Sequence, residues 1–98
     1  MMISPHINLN DRICANNRLP VAEIHNELIV MSHEKGLFYG LDDIATVIFK
    51  SLTVPARVSE LCDKLSLEYD AQPEVVRRDV LNLLEAMAAH ELIAVVSA

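Results

Sequence analysis

The side chains in this sequence that could do chemistry are few and widely spaced. Four histidines occur, at His6, His25, His33 and His90. None of them has a cysteine, an aspartate or a second histidine at the spacing of a metal site, so we interpret all four as surface residues and predict no bound metal. The chain also lacks a G-x-S-x-G motif and a glycine-rich phosphate loop. These features predict a protein that is not an enzyme and needs no cofactor.

Two further groups of reactive side chains have simpler structural explanations. Asp42 and Asp43 are adjacent carboxylates that could do acid–base work, but they lie at a predicted strand-to-helix junction. There a helix cap and a charge that offsets the helix dipole explain both residues. Cys62 is predicted to be a small core residue on a helix, whereas the role of Cys14 stays open.

Length, composition and charge restrict the class of protein. The chain has 98 residues, of which 52% are hydrophobic. This predicts one folded domain over residues 1–98, with residues 1–10 flexible. No apolar stretch is long enough to span a membrane and the N-terminus does not resemble a secretory signal, so we expect a cytoplasmic protein with reduced thiols. Eight basic and fourteen acidic residues give a net charge of −6, which disfavours binding to nucleic acid.

The segment over residues 21–41 predicts three short antiparallel strands. It is rich in β-branched, aromatic and aliphatic residues, with interruptions at Asn26 and at residues 32–36. Gly36 can take the positive φ that hairpin turns often require. We predict strands over residues 21–25, 27–31 and 37–41. Residues 12–15 could add another short strand.

After Leu41 the apolar spacing changes to the period of a helix. The first helix begins after an Asp42 cap and is expected to bury Ile44, Val47, Ile48 and Leu52. A second runs over residues 57–67, and a third runs over residues 73–89 with Pro73 at its first position. The apolar tail over residues 92–96 covers the end of the domain or forms a last strand.

The predicted architecture is α+β and winged helix-turn-helix-like, with a three-stranded antiparallel sheet followed by three helices. This order allows a second function class, a winged-helix regulator that binds DNA. Its recognition helix would be the third, which carries Arg77 and Arg78 together with Glu74, Asp79 and Glu85. Because this helix carries both basic and acidic side chains, it has little net attraction for phosphates.

Three runs of the sequence together resemble the PqqD-like family of peptide-recognition elements. They are GLFYGLDDIATVIFKSL, VSELCDKLSLEYD and PEVVRRDVLNLLEAM. The shared pattern is a Gly-led strand ending in Leu-Asp, an aromatic late in the first helix, a Tyr-Asp step and an Asp-Val step. Here Phe49 stands where relatives often have tryptophan, and His90-Glu91 replaces a glycine that often precedes the closing Leu-Ile.

The resemblance implies a non-catalytic adaptor that binds the leader segment of a ribosomally made precursor peptide for a modifying enzyme or a leader peptidase. In such proteins the leader adds as a strand to the last strand of the sheet, beside the third helix. An open strand edge supplies hydrogen bonds, and apolar pockets read alternate side chains. The peptide-binding residues implied for this chain are Leu37, Phe38, Tyr39, Gly40, Leu41, Val75, Val76, Asp79, Val80 and Leu83.

Two pathways remain open within this resemblance. The Pro-Glu step of the strand region in PqqD proper is missing here. That absence favours a stand-alone element of a lasso-peptide pathway, working beside a leader peptidase and a cyclase. The alternative is a PqqD-type chaperone that presents a precursor to a radical SAM enzyme of a pyrroloquinoline quinone-like pathway.

Overall fold

The computed structural model describes residues 6–96. The elements in chain order are β1 (Arg12–Ala15), β2 (Val21–Ile24), β3 (Glu27–Ser32), β4 (Leu37–Gly40), α1 (Asp43–Ser51), β5 (Ala56–Arg57), α2 (Val58–Glu68), α3 (Pro73–Ala89) and β6 (Ile93–Val96). The strands form two three-stranded sheets, with the orders β2-β3-β4 and β5-β1-β6. None of the helices in this part of the chain is long and apolar enough to cross a membrane.

The sheet β2-β3-β4 is the predicted antiparallel meander. Its first hairpin turns through His25 and Asn26, which both have positive φ, as the tightest hairpin turns require. Its second hairpin has Gly36 at a φ of +62°. The registers pair Val21 with Val30 and Val30 with Tyr39. The prediction of three antiparallel strands with three helices is therefore confirmed.

The second sheet joins segments that are distant in the sequence. β1 lies between β5 and β6 and is antiparallel to both. The possible strands at residues 12–15 and in the tail both form. The two-residue strand β5 was not predicted, because Ala56 and Arg57 carry no local strand signal.

Helix α1 begins as the sequence predicts. The Asp42 side chain accepts a hydrogen bond of 2.9 Å from the Ala45 N–H, which caps the helix. The buried face differs from the predicted one at its first position, because Ile44 is 44% exposed. Ala45 and Thr46 take the buried positions in the first turn instead.

Helix α3 ends in a motif that usually needs glycine. The Leu92 N–H donates to the Met87 carbonyl and the Glu91 N–H donates to the Ala88 carbonyl, which is the Schellman pattern. Glu91 takes the left-handed position with a φ of 62°. Leu92 and Met87 both belong to the buried core, so this helix end is anchored in the core despite the missing glycine.

The core lies between the two sheets and the three helices. Its fully buried side chains are Ile13, Val30, Ile48, Leu52, Val58, Cys62 and Leu84. Ile7 also belongs to this core, although it lies in the segment 1–10 that we expected to be flexible. Its N–H donates to the Glu85 carboxylate on α3. Residues 1–5 of that segment lie outside the described residues.

Thr46 joins α1 to the meander through its hydroxyl group. Its Oγ1 accepts a hydrogen bond of 3.1 Å from the Leu28 N–H and donates one of 3.2 Å to the Leu41 carbonyl. All three residues are buried. The hydroxyl therefore holds the end of β4 against the start of α1.

Replacing Thr46 by valine should lower the stability by about 2 kcal/mol, because it leaves two buried backbone groups unpaired. In a domain of this size that corresponds to a fall in Tm of about 8–16 °C. Differential scanning calorimetry measures it. Thr46→Ser retains the hydroxyl and serves as the control. Equal losses in the two variants would contradict the bridging role.

Candidate functional site

The strand β4 forms one edge of its sheet. It pairs with β3 on one side, and no strand within residues 6–96 pairs with its other side. Its side chains alternate between the two faces, so Tyr39 turns inward and is half-buried while Phe38 turns outward and is 73% exposed. β4 is thus an open edge whose backbone could pair with an added strand.

The hydrogen bonds at the end of β4 identify its outward-facing backbone groups. The Leu41 N–H donates to the Leu28 carbonyl at 2.8 Å, so the backbone of Leu41 faces β3. Backbone directions alternate along an antiparallel strand, so Tyr39 also faces β3. The N–H and C=O groups of Phe38 and Gly40 therefore point away from the sheet, toward the open edge.

A groove runs along α3, and its first part is a mostly apolar pocket between α3 and the ends of α1 and α2. This pocket has a volume of about 300 Å³. Its walls come from four places: the start of α1, the end of α2, the turn after α2 and the first half of α3. The lining residues are Asp42, Ile44, Leu65, Tyr69, Ala71, Val75, Val76, Asp79, Val80 and Leu83.

The second part of the groove runs directly under β4, toward the end of α3. It has a volume of about 390 Å³ and shares Asp42 and Leu83 with the first part, so the two pockets adjoin along α3, and we call them together the groove. Tyr39 and His90 pack together here, with ring centroids 4.9 Å apart. The Tyr39 hydroxyl is shielded from solvent and makes no hydrogen bond within the described part of the chain.

The structure brings together all but one of the site residues inferred from the sequence. The second part of the groove is lined by the strand residues Phe38, Tyr39, Gly40 and Leu41, and the first part by the helix residues Val75, Val76, Asp79, Val80 and Leu83, of which Leu83 lines both. Leu37 is half-exposed and lines neither pocket. Val80 and Leu41 are buried, so they support the groove more than they present surface to it.

Several groove residues could not be assigned from the sequence. Ile44 had been placed in the core and Asp42 had been explained as a helix cap alone. Tyr69 belongs to the Tyr-Asp step of the family pattern, and Leu65 lies within the predicted second helix; neither was predicted to line a binding site. Each comes from an element other than β4 and α3, so only the packing of α1 and α2 brings it to the groove.

Other reactive groups lie outside the groove. Within residues 6–96, no three His, Cys, Asp or Glu side chains come together in a way that could hold a metal ion. Both cysteines are free, and Cys62 is buried. Burial raises the pKa of the Cys62 thiol, the Asp63 carboxylate raises it further, and the Arg77 guanidinium partly opposes both. A buried neutral thiol is typical of a core residue.

The fold and the groove define a class of small α+β domain with an open strand edge beside an apolar helix face. Residues 27–93, more than half of the chain, match the family model described as coenzyme PQQ synthesis protein D. The chain therefore belongs to the PqqD family. Among proteins with curated descriptions, none matches it.

Two solved structures are similar to this chain over most of its length. One is TbiB1 in complex with the TbiA(beta) leader peptide, with 26% identity, a TM-score of 0.75, and coverage of 87% of this chain and 99% of that one. The other is the PqqD truncation of Methylobacterium extorquens PqqCD, described as a functional and stand-alone RiPP recognition element. It has 21% identity, a TM-score of 0.75, and coverage of 94% and 99%. The second likeness concerns the fold alone.

Proposed function

We propose that this protein binds the leader segment of a ribosomally synthesised precursor peptide as an added strand on the open edge of β4. The observation that carries the proposal is the position of that edge directly beside the groove of α3. The outward N–H and C=O groups of Phe38 and Gly40 would pair with the peptide backbone. Alternate peptide side chains would then enter the groove. The likeness to TbiB1, which is in complex with a leader peptide, supports a leader peptide as the ligand.

The other edge of the same sheet is less suited to a peptide. β2 is exposed along its whole length. Glu23 on this edge forms an ion pair of 2.6 Å with Lys50. Charged side chains on an edge strand discourage the addition of further strands. The peptide should therefore select β4.

The role we propose is delivery without catalysis, in the cytoplasm. The protein would hold the leader while a separate leader peptidase and a cyclase of a lasso-peptide pathway act on the precursor. The family description favours a second candidate, a chaperone that presents a precursor to a radical SAM enzyme in coenzyme PQQ-like synthesis. Both candidates use the same groove and differ in the partner enzyme. Co-purification with each enzyme in the presence of the precursor would distinguish them.

The binding mode is tested by nuclear magnetic resonance with leader peptides from short precursor genes beside the gene of this protein. The amide signals of Phe38 and Gly40 should shift, and their hydrogen exchange should slow when the peptide pairs with them. The amides of Val21 and Glu23 on the opposite edge serve as the internal control. Binding that protects the β2 amides and leaves those of β4 unchanged would show that the assignment is wrong.

The salt dependence of binding distinguishes the proposed peptide binding from the alternative function, a winged-helix regulator that binds DNA. Contacts with phosphates weaken steeply as ionic strength rises, whereas strand addition into an apolar groove changes little. We expect the affinity for the leader to change less than about threefold between 50 and 200 mM salt, compared with a loss of about 10³-fold or more for phosphate-dominated binding. Tight, salt-sensitive binding to duplex DNA would favour the regulator.

A further inference from the structure

The groove carries an uneven distribution of charge. Two carboxylates, Asp42 and Asp79, line its first pocket. No lysine or arginine within residues 6–96 lines either part of the groove. The remaining walls of the first pocket are almost entirely apolar. A ligand that suits this pocket must combine an apolar body with a positive charge.

Neither carboxylate is committed to a strong partner. Asp42 uses Oδ1 to cap α1, which leaves its other oxygen available to a ligand. Asp79 Oδ1 lies 3.5 Å from Arg78 Nε, and both side chains are about two-thirds exposed. An exposed pair of this kind contributes little. Because this ion pair is weak, Asp79 remains available to a charged ligand.

We infer that the groove selects a leader peptide with a lysine or arginine placed over the first pocket, between Asp42 and Asp79. This inference rests on the proposed function, because it assumes an added strand on β4. The methylene stem of the basic side chain packs against Val75 and Val76, and its charged end reaches the two carboxylates. A charge-assisted hydrogen bond is about twice as strong as one between neutral groups, so a basic residue is preferred over a serine or threonine.

The geometry also gives the position of the basic residue along the peptide. Asp42 lies two residues beyond Gly40, the last residue of β4 whose backbone faces the peptide. An added strand that is antiparallel to β4, like the other strands of this sheet, enters the groove at Asp42 and leaves it near Tyr39. The basic residue therefore lies on the N-terminal side of the peptide residue that pairs with Gly40.

The test uses mRNA display of a random library of peptides of about twelve residues. Binders are selected separately against three forms of the full chain. These are the wild type, the double variant Asp42→Asn/Asp79→Asn, and the control Asp43→Asn. Asparagine caps a helix as well as aspartate does, so the double variant keeps its fold. Asp43 follows Asp42 in the sequence but lines neither pocket. Asp43→Asn therefore removes one negative charge close to the groove without changing the groove itself.

The expected result is one dominant lysine or arginine position in the peptides selected by the wild type and by Asp43→Asn, and its loss in those selected by the double variant. Calorimetry on a selected peptide should then show that Asp79→Asn weakens binding about two- to fivefold. A peptide whose basic residue is replaced by methionine should bind the wild type and Asp79→Asn with equal affinity.

The inference is overturned if the peptides selected by the double variant keep the basic position, or if those selected by the wild type have none. Strand addition on β4 stands in either case. Failure to select any peptide above background overturns the proposed function as well.

Discussion

Phe38→Pro should weaken leader-peptide binding by about tenfold or more and leave the fold intact. The substitution removes an N–H group that points toward the open edge, and it places a ring where the peptide backbone would approach. One lost hydrogen bond accounts for about 1 kcal/mol, and the ring adds a steric penalty. Because the N–H of Phe38 does not pair with β3, the Tm should fall by only a few degrees. Calorimetric titration and thermal unfolding measure the two effects.

Two companion variants make this result specific. Phe38→Ala removes the exposed ring, which lines the groove, but retains the N–H, so it should lose less affinity than Phe38→Pro, and the difference between the two variants reports the lost backbone hydrogen bond. Tyr39→Pro removes an N–H that faces β3 opposite Val30, so it should lower the Tm substantially. If Phe38→Pro bound the peptide as tightly as Phe38→Ala, the peptide could not be an added strand on β4.

Val80→Asp should destabilise the protein by more than about 3 kcal/mol, because it places an unpaired carboxylate in the core. Val80 is only 5% exposed and belongs to the core cluster. A loss of this size lowers the Tm by more than about 12 °C in a domain of about 100 residues. Thermal unfolding followed by circular dichroism measures the change.

The same substitution at Val76 provides the matched comparison. Val76 lies one turn earlier on α3, is half-buried and lines the groove. Val76→Asp should therefore cost less stability than Val80→Asp and should reduce peptide affinity in a protein that still folds. Equal losses of Tm at the two positions would show that the groove side of α3 is wrongly assigned.

Local features of the chain sufficed to predict the meander and the helices. The Asp42 cap and Pro73 at the first position of α3 are physical signals that act within one turn, so they survive in any tertiary context. Strand alternation and Gly36 likewise predicted the hairpin of β3 and β4. The second sheet could be predicted only in part, because β1 is paired with a tail about eighty residues away and with a strand of two residues.

The residues of the groove were likewise predicted only in part from the sequence. Its β4 and α3 residues were inferred from the family pattern, and the structure brings all of them except Leu37 to one place. Ile44 was predicted to be buried because its spacing matched the apolar stripe of α1. That spacing defines an apolar face of α1, but it does not determine which element packs against that face. In the structure Ile44 lines the groove.

The absence of catalytic motifs follows from residue types and their order along the chain, whereas strand addition at β4 was inferred from the family resemblance and only the order of the sheet shows that β4 is an open edge. The placement of Asp42 and Asp79 in one pocket, and the packing of Tyr39 against His90, depend on how α1 and α3 pack against the meander. Such pairs are separated by more than thirty residues, and no local energy term relates them. The sequence thus predicted where a peptide could add, while the packing of the helices produced the pocket and charges that would select it.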